Sequence, residues 1–171
     1  MGALVVFESM YGNTWQIAEA VAEGVSSRLP AEIVEVASAP REITDQVQLL
    51  VVGAPTHALG LSREATRADA AERSGRAVIS AGVGVREWLQ SLSIPRGLAV
   101  AAFDTHVDKR WLPGSAAVVA RRQLRRLGGK PIVSSESFYV GGMEGPLVPG
   151  EVERAREWGA RLAEHLATAD A

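Results

Sequence analysis

Cysteine is absent from all 171 residues. That excludes disulfides, cysteine-ligated iron–sulfur clusters and thiolate catalysis together, and it suits a reducing cytoplasm. An excess of one charge is also missing. The chain carries 18 Lys and Arg against 20 Asp and Glu, a formal net charge of −2, so nothing global argues for nucleic acid or an anionic membrane as partner. No apolar run approaches the roughly 20 residues that cross a bilayer. The first residues lack the basic leader and cleavage site of a signal peptide. Val6 stands where a myristoylation motif starting at Gly2 needs Ser or Thr. The expectation is a soluble, cytoplasmic protein without membrane insertion.

What is present reads as one compact α/β domain over residues 1–171, with 47% hydrophobic and 22% charged residues. Ala3–Phe7 is a short apolar run suited to a strand buried on both faces. Ile17, Val21, Gly24 and Val25 follow at helical spacing, and Pro30 closes that helix. Further strands are expected at Ile33–Val36, Leu49–Val52, Leu98–Phe103 and within Ile132–Val140. Arg86–Leu92 reads as a short helix. Ala117, Ala120, Leu124 and Leu127 mark another, ended by Gly128-Gly129, and a last one starts near Glu151. Ser62–Gly75 is rich in Ala and charge and reads as a weak helix or an ordered loop. Strands alternating with helices imply right-handed βαβ units and a mainly parallel sheet. The cluster RRQLRR, residues 121–126, falls on the outer face of its helix and reads as a solvated face rather than a nucleic-acid patch.

In an open parallel sheet, ligands bind beyond the carboxyl ends of the strands. Three strand ends carry unusual loops: Ser9–Thr14, Pro55–Ser62 and Asp104–Ser115. The first offers hydroxyls of Ser9, Tyr11 and Thr14, the Asn13 amide, and Gly12 for close backbone approach, all before a helix whose first amides face the loop. Taken alone, it reads better as an N-cap at Asn13 or Thr14 followed by a turn. It has no G-x-x-x-x-G-K-[ST] and hence no lysine for a nucleoside triphosphate, and no G-x-G-x-x-G for a dinucleotide. GVGVRE at residues 82–87 is a fragment of the latter in the wrong place. Gly53-Ala54-Pro55 denies the aspartate that a receiver domain needs after its third strand. A cation-free hydroxyl loop fits one terminal phosphate.

VVFESMYGNTWQIAEAV, residues 5–21, resembles the flavodoxin signature: a strand ending in an aromatic residue, then the S/T-x-T/Y-G-N-T phosphate loop and its helix. GAPTHALGLSR after the third strand is similar to the family's second flavin loop, and AAFDTHVDKRWLPGSAA stands where the third belongs. Strand spacing over the whole chain also resembles that of short-chain flavodoxins. The resemblance implies a flavodoxin-like, doubly wound, five-stranded parallel sheet of order 2-1-3-4-5 with helices on both faces, holding FMN noncovalently. By position, Ser9, Met10, Tyr11, Gly12, Asn13 and Thr14 would hold the phosphate. Pro55, Thr56, His57, Ala58, Leu59 and Gly60 would run along one side of the flavin, and Phe103, Asp104, Thr105 and His106 along the other. The second loop offers no Trp or Tyr to stack on the ring, and the third offers only Trp111 at an approximate match.

His57 and His106 can line a flavin or lie at the surface; without a third ligand they make no metal site. Asp104 accepts from the flavin in one reading and caps a turn in the other. Trp15 lies over the phosphate or faces solvent, whereas Trp88 and Trp158 belong to the core or to a partner contact, and His165 is structural or solvated. The leading expectation is an FMN-binding electron carrier between a reductase and an acceptor. The alternatives are an FMN-dependent NAD(P)H:quinone-type oxidoreductase and a flavodoxin-like interaction module with weakened flavin binding.

Overall fold

The computed structural model describes residues 2–109 and 113–169. The third-loop tryptophan, Trp111, lies outside them. The elements are β1 (Gly2–Phe7), α1 (Asn13–Val25), β2 (Ala31–Glu35), β3 (Val47–Pro55), α2 (Glu64–Ser74), α3 (Val85–Gln90), β4 (Ala99–Val107), α4 (Ala116–Arg126), β5 (Lys130–Pro131), β6 (Glu136–Val140) and α5 (Glu151–Ala169). The strands pair in parallel in the order β2-β1-β3-β4-β5, with β6 also on β4. β5 and β6 are therefore two halves of the fifth strand. Val100 pairs with Pro131 but Phe103 with Glu136, so extra residues bulge out between them.

Alternation along the strands decides which helix packs where, because successive side chains leave opposite faces. Ala3, Val5, Phe7, Leu49, Val51, Ala99, Ala101 and Phe103 face α1 and α5, meeting Ile17, Val21, Trp158 and Leu162. Leu4, Val6, Leu50, Val52, Val100 and Ala102 face α3 and α4, meeting Trp88, Leu89, Ala117, Ala120 and Leu124. α1 and α5 approach so closely that a Cβ on Gly159 would overlap the Val21 carbonyl. Trp88 and Trp158 are both core residues, at 1% and 3% exposure. Trp88 also donates Nε1–H to the Pro40 carbonyl at 3.0 Å.

Ser62–Gly75, weak as a helix by its apolar content, contains α2. Its N-terminal turn is closed by Thr66 Oγ1, which accepts from Arg63 N and donates to Arg63 O. Among the described residues, no helix is long and apolar enough to cross a membrane.

Candidate functional site

The carboxyl ends of β1, β3, β4 and β6 share one rim, and a cleft of about 350 Å³ opens there. Ser9, Met10, Tyr11, Asn13 and Thr14 line one end of it. Gly12 is the N-cap of α1 with φ 97°, a left-handed conformation that glycine adopts without a Cβ penalty. It has no side chain to offer, so no side chain caps α1, and the first turn contains no acidic residue. The leading amides of a helix have no acceptor within it, and here they look into a cleft.

The hydroxyls add to this donor surplus. Ser9 Oγ accepts from the Gly12 amide at 3.0 Å, which leaves its own hydrogen to be donated. Thr14 Oγ1 and Thr105 Oγ1 lie 2.7 Å apart; one of their two hydrogens closes that contact and the other remains. The loop is held from behind: the Ser9 amide donates to Ser80 Oγ, and the Ile79 and Ser80 amides donate to the Met10 and Ser9 carbonyls. From the rim, Asn13 Nδ2 donates to the Glu144 carbonyl at 3.1 Å. Trp15 does not cover the loop. It is 44% exposed and stacks on Phe7, centroids 5.9 Å apart.

Of the second loop, Pro55, Thr56, His57 and Ala58 line the cleft, while Leu59 and Gly60 line an adjoining depression of about 210 Å³ with Arg63 and Arg86. His57 and Gly60 exchange both backbone hydrogen bonds at 2.8 Å. The two residues between them, Ala58 and Leu59, take positive φ of 40° and 78°. Burial, and then the charge of Arg67, pushes the His57 imidazole below the ordinary histidine range.

The third loop divides. Thr105 lines the cleft, as does Val107. Phe103 is fully buried on the α1/α5 face, its ring over Gly53 and edge-to-face with Phe138 and Trp158. Asp104, of the opposite parity, is fully buried toward α4. Its Oδ2 accepts from Thr56 Oγ1 at 3.0 Å, Ser115 Oγ at 2.5 Å and the Ala117 amide at 3.0 Å. Asp104 thus stands beneath the cleft as the acceptor that finishes the N-terminus of α4. His106 turns to the Val107 carbonyl and the Tyr139 ring and is not among the cleft-lining residues.

Sequence reasoning missed the outer wall, which is α2: Thr66, Asp69, Ala70 and Arg73 line the cleft, and Tyr11 donates its hydroxyl to the Ala70 carbonyl at 3.1 Å. Burial, then the Glu144 carboxylate, raises the Tyr11 phenol against the pull of Arg73 and Arg76. The phosphate-type loop contains no cation of its own, but Arg73 supplies one from the facing helix. Val140 and Met143 close the remaining side.

A buried polar network anchors that wall. Glu8, the last residue before the loop, accepts from the Val85 amide at 2.8 Å and from Ser62 Oγ. Arg67, 3% exposed, donates to Ser62 Oγ at 2.8 Å and to Glu87 Oε1 at 2.9 Å. Burial raises the Glu8 carboxyl above the ordinary carboxylate range despite these partners. Burial also works to raise Glu87, but the Arg67 hydrogen bond and charge, with backbone amides, outweigh it and hold Glu87 low.

A doubly wound parallel sheet of this order, with a donor-rich loop between β1 and its helix, defines a flavodoxin-like α/β protein. Residues 4–67 match the family model described as flavodoxin domain. Match and fold together show a flavodoxin-like fold. Sequence comparison with curated proteins finds no significant match. Similar solved structures include a flavodoxin from the domain Archaea, at 17% identity and TM-score 0.67, covering 98% of this chain and 99% of that one. Oxidised Flavodoxin 1 from Bacillus cereus aligns at 18% identity and TM-score 0.69, covering 95% and 97%. Rubredoxin oxygen:oxidoreductase from Desulfovibrio gigas aligns at 16% identity and TM-score 0.64, covering 99% of this chain and 37% of that one. At these identities the likeness establishes the fold.

Proposed function

We propose that the chain binds FMN noncovalently in the rim cleft and acts in the cytoplasm as an electron carrier between a reductase and an acceptor protein. The observation that carries this reading is the uncapped start of α1, whose first turn contains no acidic residue and whose free amides stand beside the hydroxyls of Ser9, Thr14 and Thr105. A phosphate monoester is the complementary group: dianionic, acceptor-rich and stabilised by a helix N-terminus. The cleft volume of about 350 Å³ lies in the lower part of the usual range for small-molecule sites.

Ser9, Asn13, Thr14 and the loop amides would hold the phosphate, with Arg73 adding charge from α2. Pro55, His57 and Ala58 on one side and Val107, Val140 and Met143 on the other would shield the body of the cofactor from water. His57, its pKa pushed down, faces the cleft as a neutral imidazole near pH 7 and adds no charge beside the ring. When bound, FMN supplies the redox chemistry; the protein contributes binding, orientation and the electrostatic surroundings. Titration of the apo-protein with FMN should quench flavin fluorescence saturably and give a yellow complex. Flavin fluorescence unchanged by a molar excess of protein overturns the reading.

One observation favours a second reading, an FMN-dependent NAD(P)H:quinone-type oxidoreductase. The depression lined by Arg63 and Arg86 shares His57, Ala58 and Thr66 with the cleft, and its two cations beside the proposed cofactor position support an anionic donor there. Bleaching of the bound flavin by NADPH alone selects the enzyme; reduction only through a separate reductase selects the carrier.

A further inference from the structure

A second donor-rich site lies away from the cleft, at the edge of the sheet. The fifth strand breaks between Pro131 and Glu136, and a groove of about 300 Å³ opens between that break and α4. Val118, Arg121, Arg122, Arg125, Ser134 and Ser135 line it. Positions 118, 121, 122 and 125 are one stripe of a helix, so the arginines converge on the groove instead of spreading around α4.

We propose that this groove binds a small molecule bearing a diphosphate group. First, its charge is unmatched. The described ion pairs hold Arg28, Arg67, Arg76, Arg154 and Arg156, while others such as Arg63, Arg73 and Arg86 stand outside them; what sets α4 apart is that three guanidinium groups without a carboxylate share one groove. None of the described ion pairs uses Arg121, Arg122 or Arg125, and α4 contains no acidic residue. The nearest strand carboxylate, Glu136, is taken by Arg154.

Second, the groove is partly preorganised. Arg121 donates Nε–H to the Val133 carbonyl at 3.2 Å, which fixes its guanidinium and leaves four N–H groups. That carbonyl is free to accept because the strand pairing is interrupted there. Third, the groove is lined by hydroxyls and guanidinium groups but no carboxylate. Arg122 and Arg125 stand about one helical turn apart along α4, so two linked phosphate groups can each meet a separate guanidinium there. Val118, 43% exposed, gives the rest of such a molecule an apolar surface.

The test is calorimetric titration with inorganic diphosphate at low ionic strength without divalent metal, with amide NMR in parallel. Saturable binding should shift the Ser134 and Ser135 amides. The doubly substituted variant Arg122→Ala, Arg125→Ala should weaken it at least about tenfold and flatten its salt dependence. Both side chains are exposed and unpaired, so thermal stability should hold. The Ser9→Ala, Thr14→Ala variant separates this groove from the cleft and should keep the component of diphosphate binding that shifts the Ser134 and Ser135 amides. Three results overturn the proposal: no heat and no shifts, binding lost in the cleft variant but kept in the arginine variant, or a single-stranded oligonucleotide that binds and is not displaced by diphosphate.

Discussion

Two helices begin at the same rim and are finished in opposite ways. At α4 the first three amides all have side-chain acceptors: Ala116 on Thr56 Oγ1, Ala117 on Asp104 Oδ2 and Val118 on Ser115 Oγ. At α1 the N-cap is a left-handed glycine, no side chain accepts, and the neighbouring hydroxyls have hydrogens to spare. A buried helix end without acceptors is costly unless something else supplies them. α4 is complete as folded; α1 has no side-chain acceptor at its start, which is what the proposed phosphate site needs. The comparison separates a residue that builds the site, Asp104, from residues that would touch its ligand.

The largest test breaks the finished end. Asp104→Ala strips the acceptor from the half-buried Thr56 and Ser115 hydroxyls and from the buried Ala117 amide. Hydrogen bonds to a charged group contribute about 1.5–3 kcal/mol each, so a loss of at least about 3 kcal/mol is expected in denaturant unfolding. Flavin affinity should fall as a consequence, because Thr56 joins α4 to the cleft. Stability that changes by less than about 1 kcal/mol would show that Asp104 does not hold α4.

The unfinished end should respond in affinity before stability. Ser9→Ala with Thr14→Ala removes two hydroxyl donors from the proposed phosphate position and should weaken FMN at least about a hundredfold, taking about 1.5 kcal/mol for each charge-assisted bond. Riboflavin, which has no phosphate, should lose much less. Equal losses for both ligands would place the phosphate elsewhere.

Between the two ends sits Glu8, and there the readout is pH. Burial raises its carboxyl, so the folded state holds this proton more tightly than the unfolded state does. The stability this contributes is fully present below the unfolded value and is lost as pH rises through the folded one. Glu87 and Glu151 are held low and act in the opposite sense, losing their contribution as pH falls through their folded values. Glu8→Gln should therefore gain stability relative to the parent as pH rises from 4.5 toward neutrality. A difference between the two proteins that stays constant over that interval would mean that Glu8 is not held protonated.

How much of this was legible depended on whether neighbouring residues or distant ones decided the matter. The strands were readable because runs of Val, Leu and Ala, at Ala3–Val6, Leu49–Val52 and Ala99–Ala102, form the centre of β1 and β3 and the start of β4. The loop at Ser9–Thr14 was readable because its chemistry is contiguous in the chain. Phe103 was expected beside the flavin, yet its parity with Ala99 and Ala101 turns it to the α1/α5 core. That same parity sends Asp104 toward α4. The outer wall was illegible for a different reason. Of α2 only Arg67 and Ala70 are buried, and what fixes the helix is Arg67 on Ser62 and Glu87, with Tyr11 on the Ala70 carbonyl. The Arg67–Glu87 and Tyr11–Ala70 contacts join residues far apart in sequence and leave no periodic trace. The interruption of the fifth strand was equally hidden, since Ile132 and Val133 continue a strand-like run through the break.

The smallest test makes the unfinished helix resemble the finished one. Asn13 is the first residue of α1, and its amide nitrogen reaches only the exposed Glu144 carbonyl. Asn13→Asp puts a carboxylate at the positive end of the helix, where such a charge stabilises by about 0.3–1 kcal/mol. The gain belongs to the apo-protein. With a phosphate in the cleft the same carboxylate becomes a like charge at short range, so FMN should bind more weakly while riboflavin is nearly unaffected. Stability and phosphate affinity moving in opposite directions is the signature of a helix end reserved for an anion. If both rise, or if FMN and riboflavin weaken alike, the donors of α1 are not what holds the phosphate.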